Sequence, residues 1–186
     1  SPSTLAAIAS EACGRSLRPV RAAEILMGAA TLLERVRTEL AEHLDMDDAG
    51  RVVRALDEEG PPRALALLAD LNEAWGARTG ISGQVASRRT ASIVRLQGRL
   101  LELMFEYRHA VGRHVQAIEQ IASDGEEARA AYVCGLIEAL VRYGRDLGEG
   151  EPLDQAVNMC GSLLGAEWLQ PGSRLWIDLK HLHGVS

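Results

Sequence analysis

Apolar residues recur at three- and four-residue steps along most of this chain, and the two-residue alternation of a half-buried strand is almost absent. The longest such run is Gln84 to Ala122, which contains no proline. Within it Ile93, Leu96, Leu100, Leu103, Tyr107, Ala110, His114, Ala117 and Ile121 step 3-4-3-4 without a break. A second stripe of Val94, Leu101, Met104, Val111, Val115 and Ile118 lies beside it. The pattern predicts one helix of about 38 residues, ~57 Å long at 1.5 Å per residue. A helix apolar on two adjoining faces needs neighbours on both, so it belongs at the centre of a bundle or in a dimer seam. Gly98 and Gly112 interrupt it and offer places for a bend or a close helix contact.

Punctuation residues divide the rest into shorter helices. Ser3 can cap a helix from Thr4 to Cys13 that Gly14 stops. Pro19 suits the first turn of a helix reaching about Leu44, with Val20, Ala23, Met27, Ala30, Leu33 or Leu32, Val36 and Leu40 as its apolar stripe. Asp47 or Asp48 opens a helix that ends before Gly60-Pro61-Pro62, and Pro62 opens another to about Trp75. Gly76 to Gly83 is the most glycine-rich stretch and the candidate subdomain joint. Ser123 or Asp124 can cap a helix to about Leu147, and Pro152 to Leu164 is a further one. The tail from Pro171 to Gly184 spaces Leu175, Leu179 and Leu182 as a helix, although Arg174 to Leu179 also reads as a short strand. The expected fold is therefore all-α, a single bundle of about seven helices around one long central helix.

Composition narrows the function classes. The 186 residues suit one domain with a sizeable core. No apolar stretch reaches the roughly 20 residues of a membrane span, and no signal peptide pattern is visible. The chain begins Ser1-Pro2 without Met, which fits a trimmed start or a piece of a longer chain. Three cysteines without a CxxC point away from disulfides and Cys/His zinc sites and toward a reducing, cytoplasmic setting. The net charge of −6 argues against nucleic acid. Nearly all basic residues are Arg, and with the Ala and Gly richness this suggests a GC-rich bacterial source.

Charge is segregated. Arg78 to Arg113 holds seven Arg against Glu102 and Glu106, whereas Glu34 to Glu59 holds nine acids against four Arg. Such segments can pair within one chain, between copies or with a partner. The glycine-rich joint leading into a helix can present backbone N–H groups to an anion, with Arg78, Ser82, Arg88, Arg89 and Arg95 adding charge or a hydroxyl. No P-loop pattern accompanies it.

Metal-type spacings are incomplete. Glu106 and His109 form an ExxH, the helical spacing that serves carboxylate di-iron bundles, but such a site needs a second ExxH and two more Glu. Glu39, Glu42 or Glu138 would have to supply partners. Asp45 to Val52 imitates the start of a calcium loop but has Ala49 and Leu56 where oxygen ligands belong. His114 falls in the apolar seam, where an imidazole is usually a satisfied core residue.

No catalytic constellation is complete, and low aromatic content speaks against haem or flavin, so no cofactor is implied. The sequence favours a helical interaction or regulatory module that binds another protein, or itself, through helix faces. Ile93, Leu96, Leu100, Leu103, Tyr107, His114 and Ile121 form its core or interface seam. A small-ligand sensor or metal-dependent bundle enzyme is the alternative.

Overall fold

A computed structural model describes residues 19–76, 83–121 and 124–185. The proposed Thr4–Cys13 helix, Cys13, Arg78, Ser82 and Ser123 lie outside these residues. The described residues form eight helices and no strand: α1 Pro19–His43, α2 Met46–Glu58, α3 Pro61–Gly76, α4 Gly83–Leu103, α5 Tyr107–Gln120, α6 Glu126–Leu147, α7 Gly150–Leu164 and α8 Arg174–Val185. None is long and apolar enough to cross a membrane.

Local chemistry explains most boundaries. Proline opens α1 and α3, where its missing N–H costs nothing. Asp45, first in the calcium-like stretch, instead caps α2: its Oδ1 accepts from the Asp48 N–H at 3.0 Å. Gly148, at φ 72°, ends α6 in the left-handed region. The tail is helical, not a strand, because Leu179 and Leu182 share a buried face.

The long rod does not form. The chain breaks at Met104–Glu106, and α4 and α5 pack against each other as a hairpin. The Glu106 N–H bonds the Leu101 carbonyl and the Phe105 N–H bonds the Glu102 carbonyl, both at 3.0 Å. This is the paired closure of a helix ended by a left-handed residue, normally glycine. Here that residue is Phe105, at φ 61°. A non-glycine residue there costs about 1–2 kcal/mol. Burial offsets the cost: Phe105 packs with Ile25, Tyr107 and Tyr143 in a small aromatic cluster. Its ring meets Tyr107 edge-on at 6.0 Å, and Tyr107 stacks on Tyr143 at 5.6 Å.

The hairpin still uses both apolar stripes. Ile93, Leu96, Leu100 and Leu103 enter a core with Leu32, Val36 and Leu40 of α1, Val52 and Leu56 of α2, and Leu68 of α3. Val94, Ala117 and Ile118 enter a second core with Leu136, Ile137 and Leu140 of α6, Cys160 of α7, and Leu179 and Leu182 of α8. The stripe read on α1 is out of phase in its first half. Ile25, Ala29 and Leu32 are buried, while Met27 is 68% exposed. Both phases are apolar there, and only the position of the neighbouring helices selects one.

Candidate functional site

Between the two cores lies a layer of charge. On α4, Arg95, Arg99 and Glu102 follow at i, i+4 and i+7, one side of the helix. That side would be the solvent face of an isolated amphipathic helix. Here α1 and α6 cover it, and the Arg99 and Glu102 side chains are 0% exposed.

Arg99 is held by one carboxylate from each of three helices. Its Nη2 lies 2.5 Å from Glu138, its Nη1 3.2 Å from Glu102 and its Nε 3.6 Å from Glu39. Glu39 also receives Arg35 at 3.1 Å and Arg95 at 3.3 Å. Glu138 receives Arg35 at 2.8 Å, and Glu102 faces Arg142 at 3.5 Å. Part of the segregated charge is thus paired within the chain, as Arg95 and Arg99 meet Glu39 and as Arg89 meets Asp45 at 3.4 Å.

His114 of α5 closes the layer. Its Nε2 lies 2.8 Å from Glu102, and since an ionised carboxylate only accepts, Nε2 carries the proton. The ring fits because α4 and α6 present glycines to it. A Cβ on Gly98 would stand 3.0 Å from Nε2, and one on Gly135 3.5 Å from Nδ1. Gly98 therefore serves close contact, not a bend.

Burial and ion pairing act in opposite directions on the groups of this layer. Burial pushes the Glu102 carboxyl up, but Arg99, the bond from His114 and Arg142 hold it at about 2. Burial acts likewise on Glu39, and Arg99, Arg95 and Arg35 override it to leave its pKa lowered. Arg99 is held above its ordinary value by Glu102, Glu138 and Glu39, against the effect of burial. Burial lowers His114 despite the pull of Glu102, so its imidazole stays neutral. A proton shuttle needs a pKa near the working pH. This cluster instead joins α1, α4, α5 and α6 as a fixed electrostatic layer.

The sequence-derived candidates fall elsewhere. Arg88 bonds Asp124 at 2.5 Å, Arg89 stacks on Trp75 with its guanidinium carbon 3.3 Å from the ring centroid, and Arg95 lies in the charge layer. Each has its own partner, and the three do not surround a common space. Glu106 and His109 pair with each other at 3.2 Å, with side chains 57% and 77% exposed. The carboxylates that would have joined them, Glu39 and Glu138, surround the Arg99 cation instead. Among the described residues no group of three or more His, Cys, Asp or Glu is placed to hold a metal. Ile93, Leu96, Leu100, Leu103, Tyr107, His114 and Ile121 are all buried, but they divide among two cores, the aromatic cluster and the charge layer.

A different arrangement occurs on the opposite side of α4. A groove of about 690 Å³ runs between α3, α4 and α5. Leu65, Ala66 and Ala69 of α3 and Leu101 of α4 supply apolar surface, while Arg108, His109 and Arg113 of α5 supply basic groups. Among the described residues no carboxylate lines it. Gln97 lines it too, is 4% exposed, and keeps its Oε1 buried without a hydrogen-bond partner. Gln97 carries no sequence signal, since one polar residue between apolar stripes looks like any helix edge.

A second groove, about 640 Å³, lies between α1, α6 and α8 and mixes Arg35, Arg142 and Arg145 with Glu24, Glu138 and Asp146. Comparison with known proteins finds no matching family model, no matching curated protein and no matching solved structure.

Proposed function

We propose that the chain is a helical regulatory module that works by binding, with the groove between α3, α4 and α5 as the receptor of a small ligand. The observation that carries this is the lining, in which Leu65, Ala66, Ala69 and Leu101 face Arg108, His109 and Arg113 with no carboxylate among the described lining residues. An apolar wall facing basic groups, in a space of about 690 Å³, suits a small molecule. The charge layer supports the same reading, since its acids and bases are ion-paired with one another. The two described cysteines are free and buried, and burial pushes the Cys134 thiol up to about 12, which favours a role without thiol chemistry. Gly112 provides the test: a Cβ there meets nothing within 4 Å, so Gly112→Phe fills the groove without a clash at its base. Small-molecule hits from ligand-observed NMR on the wild type should vanish in this variant. Hits that persist unchanged would overturn the assignment.

A second reading, self-association through helix faces, is favoured by the other groove. Met27, 68% exposed, lies one turn from Glu24 and Thr31, and Ile177, 54% exposed, lies one turn from His181. A surface carrying both signs of charge can face a copy of itself across a two-fold axis. Sedimentation should then show a dimer that Met27→Glu with Ile177→Glu dissociates. A strict monomer at high concentration would exclude it.

A further inference from the structure

We propose that this chain pairs with a second copy of itself by exchanging halves at the Met104–Glu106 turn. In each copy α4 and α5 join into one continuous helix, and α5 to α8 of one copy pack on α1 to α4 of the other. Such a dimer is distinct from one joined through Met27 and Ile177, which leaves the turn closed.

Three observations carry it. The first is strain. Phe105, at φ 61°, is the one non-glycine residue with a positive φ among the described residues, and an L side chain there crowds its own backbone. Neither glycine nor proline lies between Gly98 and Gly112, so the local sequence has nothing that ends a helix. The second is the start of α5, where Glu106 makes no side-chain cap. A helix running through the turn bonds the N–H groups of Tyr107, Arg108 and His109 to the carbonyls of Leu103, Met104 and Phe105. The third is phase. Ile93, Leu96, Leu100 and Leu103 of α4 and Tyr107, Ala110, His114 and Ala117 of α5 are all buried. Their 3-4 stepping continues from Leu103 to Tyr107, so a straight helix keeps them along one side. A turn that merely connects two helices does not require that continuity.

Exchange also preserves the packing. The hairpin is antiparallel: Gly98 faces His114, and Ala91 and Val94 share a core with Ile118 and Ile121. Two straightened copies lying antiparallel make the same contacts between chains, about a two-fold axis near residue 105. One chain opening alone would expose Ala91 and Val94 on one half and Ala117 and Ile118 on the other. A second copy covers both, and the strain is released twice. The ring of Phe105, buried with Ile25, Tyr107 and Tyr143, is the latch that holds the single chain closed. In the exchanged dimer the groove between α3, α4 and α5 is composite, because its Arg108, His109 and Arg113 wall comes from the other copy.

The test separates backbone from ring. Phe105→Gly and Phe105→Ala both delete the ring, but glycine accepts the left-handed turn and resists the helix, whereas alanine does the reverse. The full chain of each variant is refolded from urea at micromolar and at millimolar concentration and examined by sedimentation equilibrium. The alanine variant should dimerise at least about a hundredfold more tightly than the glycine variant, because the backbone preference counts once in each copy. Phe105→Leu and Phe105→Asn repeat the comparison with a side chain in place should ring loss prevent folding, leucine favouring the helix and asparagine the left-handed turn. In dimers assembled from ¹³C-labelled and unlabelled copies, NOEs should connect Val94 of one chain to Ile118 of the other. Equal association within each pair of variants, monomers throughout at millimolar concentration, or a dimer without interchain Val94–Ile118 NOEs would overturn the proposal.

Discussion

α4 carries two polar regions on opposite sides, one ion-paired and one uncharged. Arg99 and Glu102 are buried and Arg95 is half-buried, all three ion-paired, with a carboxylate for each guanidinium. Gln97 is as deeply buried and lacks a partner for its amide oxygen. A buried ion-paired network is intolerant of losing any member, because the partner left behind is an uncompensated charge. An unsatisfied buried group costs stability continuously, and its removal brings relief. Buried atoms without a hydrogen bond occur in both regions, so what separates them is formal charge and its pairing across helices.

The largest effect should come from Arg99→Met. It leaves Glu39, Glu102 and Glu138 facing one another with fewer cations, and a broken buried ion network costs about 3–5 kcal/mol. Urea unfolding at neutral pH would measure it, and the deficit should shrink toward pH 4 as those carboxylates become protonatable. A loss under about 1 kcal/mol would make the layer no more demanding than a surface ion pair.

Acid should dismantle the same layer. Glu102 is held at about 2 and Glu39 is lowered, so the unfolded chain binds more protons than the folded one. Their contribution is complete above the ordinary carboxylate value of 4.5 and is lost as pH falls toward 2. His114, also lowered, begins to withdraw stability below its ordinary 6.5. For Glu102 the expected loss is on the order of 3 kcal/mol. A stability profile flat from pH 7 to 3 would contradict this.

Gly98→Ala tests the fit of the imidazole. Alanine gains about 1 kcal/mol of helix propensity, but its Cβ would press on a ring fixed by Glu102. A net loss of about 1–2 kcal/mol is expected, and a gain would show that His114 moves freely. The smallest effect has the opposite sign. Gln97→Leu should stabilise the empty protein by about 1 kcal/mol, because it removes an unpaired buried acceptor. Thermal unfolding that shows a loss instead would mean that the amide contributes to the fold through contacts other than its oxygen.

These outcomes show why the fold was more legible than the site. Pro19, Asp45 and Pro61 mark helix starts by local chemistry, and the 3-4 spacing of Ile93, Leu96 and Leu100 identifies a buried face. Glu106 and His109 have a suggestive spacing yet remain exposed, whereas Gln97 has none and is buried. Spacing reports which residues share a helix side. It does not report what covers that side.

The sequence by itself determined the helical class, most helix ends and the opposite charge of the segments that later pair. Each depends on interactions within a few residues or on composition. Tertiary structure alone decided that the apolar run folds back at Phe105, that α1 packs through Ile25 rather than Met27, and that Arg99 is buried. A left-handed phenylalanine is stable only when residues as distant as Ile25 and Tyr143 bury its ring. Likewise, a buried arginine is stable only when carboxylates 60, 3 and 39 positions away, Glu39, Glu102 and Glu138, reach it together. Such long-range compensation has no signature in local periodicity.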